Sequence, residues 1–339
     1  MFVGLTVVSL SIYQSIFLYA ASLICIGLAI EAAEGGFSTG AAVRLVLRYA
    51  VLTAVALVLN SMLARSVAGH YGVAISSYLS SMVGWGKAPP TDVVRSVWMF
   101  AKDYFSFRAP FGLNAFAFSA LWAAGAVACS FRLRLGALRV AVLCLAALGS
   151  AFLLTLVLGV GLPPRTMTQV PLVFAGLFAT FVVAARWRLL ALPVAAVFLV
   201  SGAAGSTRLF YSDHMARVAD RQLAGEIVDA IYARYPSFDV ARTPVFFYGS
   251  HRPHNAWRLP DSDVFGASFF EWDGGNNSRM YRYLSVANII ELKIPDAAQV
   301  KTAIEDARGL RAWPDRSAVQ MSHDVVIVKL GDVLSPYNK

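Results

Sequence analysis

Charge is what this sequence has least of. Only 14% of its 339 residues are Asp, Glu, Lys or Arg, against about 25% in soluble domains. Acids are rarest in the first two hundred residues, where only Glu31, Glu34, Asp92 and Asp103 precede Arg208. Cysteine is nearly as scarce. Cys25, Cys129 and Cys144 all fall inside apolar runs, so they read as small hydrophobes and exclude both a thiolate metal site and a disulfide in the C-terminal region. The Gly-rich phosphate loop GxxxxGK[ST] does not occur, which removes the sequence grounds for a P-loop NTPase. Internal repeats and low-complexity tracts are missing as well.

Hydrophobic residues make up 58% of the chain, with a mean hydropathy of +0.60. The net charge of +9 comes from arginines at the ends of apolar runs, where such side chains snorkel to headgroups. They form no basic stripe with interleaved aromatics, so no nucleic-acid partner is expected. A bilayer crossing takes about 20 mostly apolar residues. Runs over 2–30, 49–64, 109–131, 140–164, 166–186 and 189–207 predict about six spans, and 2–30 is too long and lacks the basic start of a cleaved signal peptide. Arg132, Arg134 and Arg139 lie in one short loop, and Arg186 and Arg188 in another. The positive-inside rule puts both in the cytoplasm, so the loop 65–108, the turn at Pro163-Pro164-Arg165 and everything after Arg208 face outward. The expected class is an α-helical polytopic membrane protein, 1–207, with a small extracytoplasmic α/β domain, 208–339.

Within the outward loop, Thr91 can cap a helix carrying Asp92 in its first turn. Val94, Val97, Trp98, Ala101 and Phe105 share one face of it at helical spacing. Two readings remain open: a lid packed over the bundle, or an interfacial helix covering a lipid-linked substrate. In the polar region, helices are expected over 212–235, near 278–288 and over 296–307, with strands at 243–248 and 324–330. The most distinctive stretch runs Phe269-Phe270-Glu271-Trp272-Asp273-Gly274-Gly275-Asn276. It reads either as a tight glycine turn or as a sugar-facing loop, with Trp272 stacking on a pyranose and Asp273 and Asn276 bonding its hydroxyls. His251 and His254 have no carboxylate or cysteine cluster nearby, so no metal or other cofactor is expected.

Ser9-Leu10-Ser11-Ile12-Tyr13-Gln14-Ser15, then Pro163-Pro164-Arg165, then the Phe269–Asn276 stretch occur in that order. With these spans, the chain resembles the bacterial O-antigen glucosyltransferases of the Gtr type II family. The resemblance covers most of the chain. It implies a GT-C-like glycosyltransferase of the inner membrane, taking glucose from undecaprenyl-phosphate glucose on the periplasmic side and adding it to the lipopolysaccharide O-antigen. A donor phosphate needs outward cations at headgroup level, and Arg165, Lys102 and Arg108 are the available ones. The catalytic acid of GT-C enzymes sits on the first outward loop. No such loop precedes the first run here, so the chain is expected to lack the family's amino-terminal spans and its catalytic residue is unassigned. The rivals are a lipid-linked-sugar flippase and a noncatalytic glycan-binding membrane protein; few ionisable residues lie mid-span and no repeated half is visible, which disfavours the flippase.

Overall fold

The computed structural model describes residues 2–12, 17–73, 83–106, 115–132, 136–260, 262 and 264–338. The molecule is mostly helical, and it divides into two compact units, Met1–Ala203 and Ala204–Lys339. Among the described residues three helices are long and apolar enough to cross a membrane, Thr39–Tyr71, Ala115–Arg132 and Ala191–Arg234.

The N-terminal unit contains α1 (Phe2–Ile12), α2 (Phe17–Glu34), α3 (Thr39–Tyr71), α4 (Pro90–Phe105), α5 (Ser119–Arg132), α6 (Ala137–Ser150), α7 (Leu153–Leu158), α8 (Gln169–Ala185) and the start of α9 (Arg188–Arg234). Helix α8 packs on α2 and α5, α6 packs on α2, and α1 lies along α3. Small residues set these approaches. A Cβ on Gly176 would stand 2.5 Å from Ile26, and one on Gly125 would stand 2.8 Å from Phe181. Close backbone approach through small residues is how apolar helices associate where lipid removes the hydrophobic drive. Polar links also cross this core: Ser22 and Ser150 share a 2.9 Å hydrogen bond, and Gln169 Nε2 donates to the Ala151 carbonyl at 2.7 Å.

Several expected segments are built differently. The run 2–30 forms two helices, α1 and α2, and the Tyr13-Gln14-Ser15 part of its motif lies outside the described residues. The weakest sequence run, 49–64, belongs to the 33-residue α3, because Arg44, Arg48 and the polar residues after Ala64 do not interrupt helical hydrogen bonding. The run 140–164 is broken into α6 and α7, and Gly159, at φ +72°, ends α7 in the left-handed conformation. Leu189 is 88% exposed on α9, and Leu47, Val51 and Val58 are exposed on α3. Helices apolar on their exposed faces are stable in lipid, not in water.

In the C-terminal unit, the second half of α9 packs on a three-stranded sheet of β1 (Val245–Tyr248), β2 (Val319–Ser322) and β3 (Val325–Lys329), in the order β1-β3-β2. Strand β3 is parallel to β1, with Val245 opposite Val326, and antiparallel to β2 across the His323-Asp324 turn. Every residue of β1 and β3 is buried, the continuous pattern of a strand covered on both faces. Val245, Phe247, Val326 and Val328 meet Leu223, Ile227 and Ile231 of α9 and Met280 and Leu284 of α10 (Asn277–Val286). Phe246, Tyr248, Val325 and Ile327 meet Ala303 and Ala307 of α11 (Ala297–Ala307) on the other side. Asp296 caps α11 reciprocally with Gln299, a capping box. Strand β2 has no strong sequence signal, since its Gln320 and Ser322 only complete an edge.

Candidate functional site

The segment 249–276 carries most of the chemistry of the C-terminal unit. Gly249, at φ +79°, turns the chain out of β1, and Pro253 and Pro260 keep the next dozen or so residues irregular. The loop is tied back at both ends: His251 N–H donates to the Phe270 carbonyl at 3.1 Å, and Asn255 Nδ2 donates to the Ser212 carbonyl of α9 at 2.9 Å. Asn255 Oδ1 accepts from Trp257 N–H at 3.1 Å, the side-chain-closed turn that asparagine favours.

Glu271, from the distinctive stretch, is a clamp. Arg258 Nη1 donates to both of its oxygens, at 3.1 and 2.7 Å, and Arg252 Nε stands 3.5 Å away. One carboxylate thus orients the Arg258 guanidinium and pairs with that of Arg252. Beside the clamp is a cavity of about 290 Å3 lined by Arg252, Pro253, His254, Asn255, Arg258 and Gly266.

A second cluster holds Phe269 and its neighbours in place. Asp220 of α9 is fully buried. It accepts from Ser268 Oγ and, at 3.0 Å, from Phe269 N–H, and Arg217 Nη1 lies 3.0 Å from it. Arg217 also donates to the Ala267 carbonyl and covers the Phe269 ring at 4.1 Å. No sequence pattern announces this cluster, because Asp220 and Ser268 are 48 residues apart.

Of the residues singled out from sequence, Trp272, Asp273 and Asn276 do come together in one turn, but each has an internal partner. Asp273 pairs with Arg279 at 2.5 Å, and that guanidinium sits 5.0 Å from the Trp272 ring centroid. Asn276 Oδ1 accepts from Ser278 N–H and caps α10; an asparagine just before a periodic run is the sequence signal for such a cap. The turn is laced to the chain end by Ser335, which donates to the Asp273 carbonyl, and Asn338, which donates to the Gly275 carbonyl at 2.7 Å.

In the N-terminal unit, α4 opens with Pro90 at its first position rather than with a Thr91 cap, which suits proline's fixed φ and missing donor. Val93, Val97 and Tyr104 are buried against the bundle. The face expected to be continuous is therefore split: Val97 points in, while Val94 (57% exposed) and Trp98 (67%) point out. Successive residues are about 100° apart on a helix, so Lys102 and Arg95, both exposed, border this outer apolar stripe. The inner face meets the loop that leads to Pro163-Pro164-Arg165. A Cβ on Gly159 would strike Val93, and one on Gly161 would stand 2.9 Å from Phe100. Arg165 occupies the one-turn helix Pro164–Thr166. Arg108 lies outside the described residues.

No family model, no curated protein and no solved structure matches this chain. Among the described residues no group of three or more His, Cys, Asp or Glu side chains is placed to hold a metal ion.

The two loop histidines differ in setting. His254 is exposed at the cavity, whereas His251 is half-buried. Burial lowers the His251 pKa below its ordinary value, and Glu226 of α9 partly offsets this. A depressed imidazole pKa means that the unfolded chain binds the proton more readily. This contribution to stability is therefore present above the unfolded value of about 6.5 and is lost as pH falls through the lower folded value. Hydrogen exchange of the 249–271 loop should accelerate, beyond its intrinsic pH trend, as pH drops below about 6.5, and His251→Asn should abolish that extra acceleration. An unchanged profile in the variant would show that His251 is not the responsible group.

Proposed function

We propose that this chain is a multi-pass membrane glycosyltransferase of about six spans. It transfers glucose from a polyprenyl-phosphate donor to lipopolysaccharide O-antigen at the periplasmic face of the inner membrane. The observation that carries the reading is the placement of α4. This helix lies against the loop running into Pro163-Pro164-Arg165, one of the motifs behind the resemblance. It also presents an outer stripe of Val94 and Trp98 bordered by Lys102. An exposed apolar stripe edged with cations is the pattern of a helix seated at the membrane interface. A polyprenyl donor is confined to the bilayer and exposes its phosphate at that depth, where Lys102 and Arg165 provide charge and donors.

The buried polar side chains described in 1–203 are Ser, Thr and Gln, none of them charged. Ion-coupled transport ordinarily places ionisable groups inside the spans, so this composition favours an enzyme over a flippase. Trp272, Asp273 and Asn276 remain the acceptor-side candidates, with one ring face of Trp272 taken by Arg279.

The deciding measurement is glucosyl transfer from polyprenyl-phosphate glucose to O-antigen by proteoliposomes carrying the chain. Charge-assisted hydrogen bonds are worth about 1.5–3 kcal/mol, so Lys102→Ala and Arg165→Ala should each lower transfer at limiting donor by roughly ten-fold or more. Arg311→Gln, at an exposed side chain of the C-terminal unit, should not. Transfer at equal rates in all variants overturns the reading.

A further inference from the structure

The cavity beside the Glu271 clamp has the chemistry of an oxyanion site, and its position along α9 says where the anion comes from. Arg258 is hydrogen-bonded to both oxygens of Glu271, which orients its guanidinium plane in advance, and Arg252 stands 3.5 Å from the same carboxylate. Planar, preoriented guanidinium groups suit tetrahedral oxyanions because they offer several donors in a fixed fork. His254 adds a third nitrogen group at the wall. Glu271 offsets one of the two guanidinium charges, and the neighbouring Asp213 has Arg217 3.8 Å away as its own counter-charge. The floor is the backbone of Gly266, whose N–H donates to Asp213 Oδ1 at 3.4 Å. Gly266 has φ +76°, and a Cβ there would strike Ser212 Oγ and crowd Arg258 and Asn255 at 3.2 Å, so only glycine lets the chain pass this close to α9.

The rim is aromatic. Trp257 packs edge-on against Tyr211, with centroids 4.9 Å apart, and Phe210 packs against Phe265 at 5.8 Å. Phe210, Tyr211 and Trp257 are all exposed. Phe210 and Tyr211 follow directly on the apolar part of α9, whose charge-free run ends at Arg208. At about 1.5 Å per residue, Ser212 lies roughly 6 Å beyond Arg208 along the helix axis. The headgroup layer is about 5–8 Å deep on each side of the hydrocarbon core. Exposed Trp and Tyr at the end of an apolar helix mark that layer. Asn255, on the cavity wall, is bonded to Ser212 itself.

We propose that this cavity binds the phosphate of an anionic membrane-lipid headgroup, with Arg252 and Arg258 as its ligands. The inference does not depend on glucosyl transfer by the chain. The same phosphate chemistry could be offered by a soluble phosphate, and the aromatic rim at headgroup depth argues for the lipid.

Native mass spectrometry of the full chain released from nanodiscs of mixed phosphatidylcholine and phosphatidylglycerol tests this. Phosphatidylglycerol should be retained in excess on the wild-type chain. An interfacial arginine contributes about 1 kcal/mol toward an anionic lipid, so Arg252→Gln and Arg258→Gln should each cut that retention about five-fold. Arg252 is the safer variant, since its side chain is 66% exposed and the Arg258–Glu271 pair survives its loss. Arg311→Gln should leave retention unchanged. Equal retention in wild type and Arg252→Gln overturns the proposal. Ready displacement of the lipid by inorganic phosphate alone also overturns it, since that is the behaviour of a soluble-phosphate site.

Discussion

Gly275→Ala is expected to destabilise the C-terminal unit by about 2–6 kcal/mol, the sum of two independent penalties. The first is conformational: Gly275 has φ +92°, where a side chain costs about 1–3 kcal/mol. The second is steric: a Cβ would overlap the Gly249 carbonyl, lying 2.6 Å from its carbon and 3.0 Å from Ser250 Cα. Overpacking against backbone costs about another 1–3 kcal/mol. The Gly249 backbone has little room to retreat, because Gly331 lies so close behind it that a Cβ on Gly249 would stand 2.5 Å from the Gly331 carbonyl oxygen. The neighbouring glycine is the control. Gly274 has φ +69° but open space around its Cα, so Gly274→Ala should cost only about 1 kcal/mol. Pulse proteolysis of the full chain in detergent would rank the two. Equal losses would mean that the crossing at Gly249 is not tight in solution.

Asp220→Ala should be nearly as damaging, at about 3 kcal/mol. Three partners converge on this buried carboxylate, from Ser268, Phe269 N–H and Arg217. Removing one member of a buried ion pair leaves the other desolvated and uncompensated, which costs about 3–5 kcal/mol. The lower end applies because the Arg217 side chain keeps 27% of its exposure. Ser268→Ala removes one hydrogen bond and should cost about 1 kcal/mol. Hydrogen exchange over 266–276 is the informative readout, since the cluster anchors the start of that segment to α9. Protection that persists in Asp220→Ala would place the anchoring elsewhere, with Asn255 and Gly266 as the remaining links to α9.

Both predictions concern the stretch Phe269–Asn276, and they show why its chemistry is only half legible in the sequence. Two glycines in succession announce a turn, and the turn is there. Which glycine is indispensable depends on Gly249 and Gly331, brought alongside by the sheet from positions 26 and 56 residues away. The same holds for Glu271. On paper it is a lone acid between aromatics; in the fold it is the clamp for Arg252 and Arg258. Trp272 and Asp273 have the residue types of an exposed sugar-binding turn, but Arg279, in the first turn of the helix that follows, lies against both.

Lipid as the solvent for much of the chain is readable from composition and run length, because hydrophobicity and charge are additive along a sequence and need no partner. Helix and strand locations in the polar region, β2 excepted, are readable for a similar reason: periodicity and capping residues act within a few positions. Contact order sets the limit. The splitting of the α4 apolar face by Val97, the Asp220 cluster and the arginine cavity all depend on groups far apart in the chain. Only the tertiary structure could decide them, since no local pattern records which distant side chain will arrive.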